Sequence, residues 1–266
     1  MLLLGAHFST SGGLHDALFL AHRYQCNALQ LFTKNAATWK ERELNDEDIE
    51  LFSKARIETG ITDISSHASY LINLATPDKR KLTMSRNAVV HELTRCNRLN
   101  IPYTVLHPGS HMGKGEEIGC ARAAETINEV FESTDFISPK LLLETTAGQG
   151  SNIGHTFTQL AKIMERVKHT ERLGICFDTC HSFAAGYDIR IPAMYEKTFD
   201  EFNSLLGLKN LSLIHINDSK HELGSRRDRH EHIGQGMLGI PPFMAIINES
   251  VDLVCTSSKK SITISN

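Results

Sequence analysis

The sequence predicts a closed barrel of eight parallel strand-helix units, the TIM (β/α)8 barrel class of α/β fold, on three observations. The chain has 266 residues, 41% of them hydrophobic, close to the roughly 250 residues of such a barrel. Short apolar runs alternate along it with stretches of helical periodicity. Potential ligand residues also stand just past the ends of successive runs: His67, His107, Glu144, Asp178 and His215 are 40, 37, 34 and 37 residues apart, one strand-helix unit at a time.

In chain order, the first run is Leu2 to Ala6, and Leu14, Ala17, Leu18 and Ala21 then recur at helical spacing. Ala28 to Phe32 forms the second run. Asn45 predicts an N-cap, with acids in the first turn, Ile49 and Phe52 on one side and Gly60 as the stop. Runs three to five are Ile61 to Ser65, Tyr103 to Leu106 and Leu141 to Leu143. Phe157, Leu160, Ile163, Met164 and Val167 make a helical stripe before the sixth run, Leu173 to Phe177. Phe199, Phe202, Leu205 and Leu206 make another before the seventh, Leu211 to Ile214. Continuously apolar runs are strands buried on both faces, as in a parallel sheet. Repeated right-handed crossovers give a barrel or an open doubly wound sheet. Gly5-Ala-His-Phe-Ser after the first run is not the glycine-rich loop of dinucleotide-binding sheets, which weighs against the open form. No repeat or linker divides the sequence, so one domain over residues 1–266 is expected.

Composition narrows the functional classes. No run of about 18 apolar residues occurs, and Met1-Leu-Leu-Leu4 lacks the length and basic flank of a signal peptide. The expectation is a soluble, cytoplasmic protein without a membrane partner. Cys26, Cys96, Cys120, Cys176, Cys180 and Cys255 contain no C-x-x-C pair and read as reduced thiols, Cys176 and Cys180 as small buried residues. A net charge of −3 argues against a generally basic nucleic-acid binder, yet bound divalent cations would make their own face positive. The 14 histidines are numerous for this length, and metal binding is one use for them.

The candidate site follows from the barrel. Its strands all end on one face, so His67, His107, Glu144, Asp178 and His215 converge from five different strands. His181 stands three residues beyond Asp178. After the seventh run the polar stretch His215 to Gly236 holds Asp228 and His230 at an i, i+2 spacing, which in extended chain puts both on one side. Imidazole and carboxylate suit zinc or another borderline divalent ion. Eight ligands exceed one tetrahedral ion, and two or three ions sharing a bridging carboxylate fit better. Paired ions of that kind serve displacement at phosphorus, which suggests phosphodiester hydrolysis.

Five motifs carry a resemblance: His67-Ala-Ser-Tyr-Leu-Ile-Asn73, Val105-Leu-His-Pro-Gly-Ser-His111, Leu142-Leu-Glu-Thr-Thr-Ala-Gly-Gln-Gly150, Cys176-Phe-Asp-Thr-Cys-His181, and His215-Ile-Asn-Asp-Ser-Lys220 with Asp228-Arg-His230 and Ile233-Gly-Gln-Gly236. Over residues 1 to about 248 the chain resembles the endonuclease IV family of apurinic/apyrimidinic endonucleases. The resemblance implies a barrel with three zinc ions that incises double-stranded DNA on the 5′ side of an abasic site, leaving a 3′ hydroxyl, and a protein acting as a monomer. It implies that His67 and His107 hold the first zinc and that Glu144 bridges it to a second, held also by Asp178 and His215. His181, Asp228 and His230 would hold the third. The attacking hydroxide would lie between the bridged pair, oriented by Glu144. Tyr70 and Leu71 resemble the wedge that enters the minor groove and helps hold the abasic nucleotide out of the stack.

The sequence departs from the family twice. Where Thr33 to Trp39 could present an arginine as a second wedge, Ala36 and Ala37 stand instead, and weaker distortion of the duplex is expected. The family's eighth strand ends in a glutamate that completes the second zinc site. By unit spacing that strand should end 40 to 45 residues past His215, where no carboxylate follows an apolar run. A strand from Val251 to Cys255 would carry Glu249 and Asp252 toward the opposite face. The tail from about residue 249 is divergent, so the eighth strand is expected to be atypical or incomplete, filled by Leu253 and Val254 or by Ile262 and Ile264. The second zinc would be weakly held, and a barrel left open would expose the edges of its first and seventh strands. Two other readings remain: a binder of damaged DNA that does not cut, and a metal-dependent sugar isomerase or epimerase on the same fold.

Overall fold

The computed structural model describes residues 2–40, 43–135, 137–253 and 261–264. Strands β1 (Leu3–His7), β2 (Ala28–Leu31), β3 (Asp63–His67), β4 (Tyr103–Leu106), β5 (Lys140–Glu144), β6 (Leu173–Asp178) and β7 (Leu211–His215) alternate with helices. These are α1 (Leu14–Arg23), α2 (Asp46–Thr59), α3 (Lys79–Arg98), α4 (Glu116–Glu132), α5 (Phe157–Met164), α6 (Thr179–Ala185) and α7 (Pro192–Leu205). A two-stranded antiparallel pair, β8 (Asp218–Ser219) with β9 (His230–Glu231), follows β7, and α8 (Pro241–Leu253) precedes β10 (Ser261–Ile264).

β10 is the eighth barrel strand. It pairs in parallel with β1 from Leu3↔Ser261 to Ala6↔Ile264 and with β7 from Ser261↔Leu213 to Thr263↔His215, and the barrel is closed. The edges of β1 and β7 are therefore paired. Of the two segments that could have filled this position, the one with Ile262 and Ile264 does so. Glu249, Asp252 and Leu253 belong to α8, which begins with proline at the helical start that tolerates it, whereas Val254 and Cys255 lie outside the described residues.

Local signals account for the helix boundaries. Asn45 accepts a hydrogen bond from Asp48 N (2.7 Å) as the N-cap of α2, and Gly60 ends that helix in a left-handed conformation at φ 69°. The stripe Leu14, Ala17, Leu18 and Ala21 is buried. Val167 is buried too, although α5 stops at Met164.

Alternation along the strands sets the site. Leu141 and Leu143 face the helices within the large outer core, whereas Val105, Leu142, Cys176 and Leu213 form a separate inner cluster from β4, β5, β6 and β7. Two residues beyond each inner side chain stands His107, Glu144, Asp178 or His215. A period of two therefore turns all four toward the barrel axis at its mouth. His67, Glu144, Asp178 and His215 are the last residues of their strands, one place earlier than their expected position just beyond them.

Candidate metal centre

Glu144 is the hub of the mouth. Its buried carboxylate has Oε2 at 3.2 Å from His67 Nε2 and 3.1 Å from His107 Nε2, and Oε1 at 2.8 Å from His215 Nδ1. Burial pushes this carboxyl upward, but the charges of His215 and His107 beside it outweigh burial and hold it well below the usual carboxylate range.

Three of the imidazoles are fixed from behind. His67 Nδ1 donates to Ala68 O (2.7 Å) and His181 Nδ1 to Thr145 O (2.9 Å), which leaves each Nε2 facing the site. His215 is turned the other way: Nε2 donates to Gln30 Oε1 (2.9 Å), and Nδ1 faces Glu144. Such outer partners fix the tautomer and ring orientation of metal-binding histidines.

The outer part of the site is built by a helix start and a loop. Asp178 caps α6, its Oδ1 accepting from His181 N (2.8 Å), while Oδ2 accepts from Asn217 Nδ2 (2.6 Å) and lies 3.8 Å from His215 Nδ1. The β8–β9 pair returns Asp228 and His230 to the mouth. His181 Nε2 and His230 Nε2 face each other at 3.3 Å, with Asp228 Oδ1 at 3.2 Å and 3.4 Å from them. Burial would raise the Asp228 carboxyl, but the hydrogen bond and charge of His181 bring it down to about 2. His181 is pushed well above the usual imidazole value, the carboxylates of Asp178 and Asp228 overcoming its burial. Two ring nitrogens converging on one carboxylate oxygen is a donor set that fits a divalent cation.

Among the described residues, three groups have ligand atoms within 4.8 Å of one another: His67, His107 and Glu144; Glu144, Cys176 and His215; and Asp178, His181 and His230. All eight residues singled out from the sequence thus meet at one mouth. Cys176 is a departure from its reading as packing alone, since its thiol reaches the Glu144–His215 group; burial and the Glu144 carboxylate push that thiol well up. The five described cysteines are free. His7 and Gln30, which no sequence pattern marks, also line the cavity of about 290 Å³ bordered by the candidate ligands His67, His107, Glu144 and His215. Their only signals are a histidine ending β1 and a lone amide within the apolar run Ala28–Leu31. Gln30 Nε2 lies 3.2 Å from His7 Nδ1, and burial, with His67 and His215 nearby, lowers His7 to about 3.

Tyr70 and Leu71 stand in the loop after β3 and are exposed, Tyr70 by 64%. The Tyr70 ring packs edge-on to Phe32 (5.7 Å between centroids) and beside His67 (5.1 Å), at the rim of the cavity. Ser69 Oγ donates to Ala36 O, joining this loop to the Ala36–Ala37 loop. A groove of about 600 Å³ runs alongside, between Phe8 and Lys40.

The family described as xylose isomerase-like TIM barrel matches residues 18–255. The chain is 45% identical over 246 residues to the "Probable endonuclease 4" of Geotalea daltonii, covering 92% of this chain and 86% of that protein. The chain belongs to the endonuclease IV family. The relative of the same name from Chloroflexus aurantiacus is 44% identical over 245 residues, covering 92% and 86%. The crystal structure of endonuclease IV from Thermus thermophilus superimposes with a TM-score of 0.86 at 28% identity, over 99% of this chain and 91% of that one. A D-tagatose 3-epimerase-like protein superimposes with a TM-score of 0.73 at 17% identity, over 98% and 90%, a likeness of fold alone. No helix among the described residues is long and apolar enough to cross a membrane.

Proposed function

We propose that this member of the endonuclease IV family is a zinc-dependent hydrolase that cuts double-stranded DNA on the 5′ side of abasic sites and leaves a 3′ hydroxyl. The observation that carries the reading is the approach of three imidazole nitrogens, from His67, His107 and His215, to the two oxygens of one buried carboxylate, Glu144. His67, His107 and Glu144 would hold one ion. Glu144, Asp178 and His215 would hold a second, and His181, Asp228 and His230 a third. When bound, paired divalent ions lower the pKa of water and stabilise charge developing at phosphorus.

The chain's own groups supply the rest. Glu144 and Asp178 balance cationic charge inside the barrel, and Ala68 O, Thr145 O and Gln30 Oε1 keep ring nitrogens aimed inward. Tyr70 and Leu71, exposed at the rim, would enter the duplex where an absent base leaves the stack weakest. Ala36 and Ala37 add no second wedge. Thr263 stands level with His215 where β10 and β7 pair, so no carboxylate of β10 occupies that register position, and the second ion is held more weakly than the others. We place the protein in the cytoplasm, acting as a monomer on DNA.

The decisive experiment is nicking of a duplex containing one abasic site by the purified protein with added zinc, beside a Glu144→Gln preparation that excludes contaminating nuclease. Incision 5′ to the site by the parent alone is the expected result. No incision above the control by a folded protein would sink the hydrolase reading and leave a binder of damaged DNA.

A further inference from the structure

The motif His215-Ile-Asn-Asp-Ser-Lys220 contains one carboxylate, Asp218, which belongs to none of the three proposed metal groups. Asp218 is fully buried, and no described lysine, arginine or histidine pairs with it. Burying such a charge is unfavourable unless hydrogen bonds replace its hydration. Here five backbone N–H groups do so. Oδ1 accepts from Ser219 N (2.8 Å) and Leu238 N (2.9 Å). Oδ2 accepts from Gly234 N (2.9 Å), Gly236 N (3.0 Å) and Gly239 N (3.3 Å). Four of the five donors lie in one returning segment, 234–239, which has few other backbone partners to satisfy them.

Glycine makes so close a wrap possible. A Cβ on Gly236 would lie 2.4 Å from Ser219 O and 2.5 Å from Asp218 Oδ1, and Gly234 has φ +80°. The segment is pinned again by Met237 N donating to Ser219 O (2.8 Å). The loop between these fixed ends carries Asp228 and His230. Its outgoing limb is held by Asp218↔Glu231 and Ser219↔His230 pairing and by Lys220 N donating to Arg229 O (3.0 Å). Its return is held by the Asp218 carboxylate.

We propose that Asp218 is the positioning residue of the outer metal group: by clasping segment 234–239 it fixes the loop that delivers Asp228 and His230 to His181. The inference rests on the reading of that group as a metal site. Asp218 itself would touch no ion. It keeps the loop in the one arrangement that brings His230 to 3.3 Å from His181, and affinity falls in proportion to the fraction of molecules that leave it.

Asp218→Asn tests the clasp, because one side-chain oxygen becomes an N–H donor facing backbone N–H groups that need an acceptor. Amide hydrogen exchange on the metal-free protein should rise at least about tenfold in residues 226–239 while β3 to β7 keep their rates. Zinc binding by equilibrium dialysis with elemental analysis should show one equivalent weakened about 10 to 100-fold and the others unchanged. Gly236→Ala, which drives a methyl group against the same carboxylate, should reproduce both effects. Unchanged exchange in both variants would overturn the proposal. So would faster exchange throughout the barrel strands, or a parallel loss of every zinc equivalent, since either means general destabilisation. A parent protein that binds no ion through Asp228 and His230 would overturn the metal reading instead; the metal-free exchange result then decides the clasp alone.

Discussion

Two arcs of the barrel mouth differ sharply. From β3 round to β7 an imidazole or a carboxylate ends each strand or, in His107, directly follows it, and His67, His107 and His215 meet Glu144 within hydrogen-bond distance. From β10 through β1 to β2 the corresponding positions hold Thr263, His7 and Gln30; His7 and Gln30 line the cavity, and Gln30 holds the Nε2 of the candidate ligand His215. Both arcs have continuous parallel pairing. Closing a barrel and furnishing its mouth are thus separate demands. Closure needs only backbone N–H and C=O groups, which any short strand supplies, whereas the mouth needs particular side chains at particular register positions.

The largest expected effect comes from breaking the rich arc. Glu144→Gln removes the carboxylate shared by His67, His107 and His215, and should lower the nicking rate at least 100-fold, roughly the upper end of the effect of outer partners alone. Activity within tenfold of the parent would mean that Glu144 is not the hub. Furnishing the poor arc should act in the opposite direction. Thr263→Glu places a carboxylate at the register position of His215 and should strengthen binding of the second zinc by about tenfold or more, read as retained metal after dialysis. No gain would show that the second ion does not lack a ligand on this side.

A subtler change tests whether the poor arc supports the rich one. Gln30→Leu removes the acceptor of His215 Nε2–H and should weaken the second ion about tenfold while leaving the His67–His107 ion unaffected. Tyr70→Ala should raise KM for abasic duplex roughly fivefold with kcat little changed, the outcome expected of the proposed wedge, which would engage the duplex and not the reacting groups. The smallest effect concerns the metal-free protein. Asp228 at about 2 and Glu144 well below its usual value are depressed acids, so the stability they contribute is complete above about pH 5 and is lost as pH falls through their folded values. In chelator, the difference in melting temperature between the parent and Asp228→Asn should therefore shrink on acidification toward pH 2. A difference that grew would reverse the assigned sign.

How much was legible in advance depended on how each feature is encoded. Seven strands could be read because buried parallel strands are continuous apolar runs, and α2 because Asn45 and Gly60 mark its ends. The helices α3 and α4 were not singled out. In α3 the buried Glu92 and Arg95 interrupt the apolar stripe, and they make sense only beside Thr33, which bonds to both. His7 and Gln30 were passed over for a similar reason, since one polar residue in or after an apolar run gives no sign of which strand it will face.

The sequence by itself determined the barrel class and the eight residues with ligand chemistry, because strand periodicity and residue type are both local properties. It also determined that no carboxylate ends an eighth apolar run. The tertiary structure alone decided that Ser261–Ile264 closes the barrel, that His181 and His215 are pinned by Thr145 O and Gln30 Oε1, and that Asp218 gathers the loop carrying Asp228 and His230. Each of these is a contact between segments far apart in the chain, and such a contact exists only once the strands are side by side.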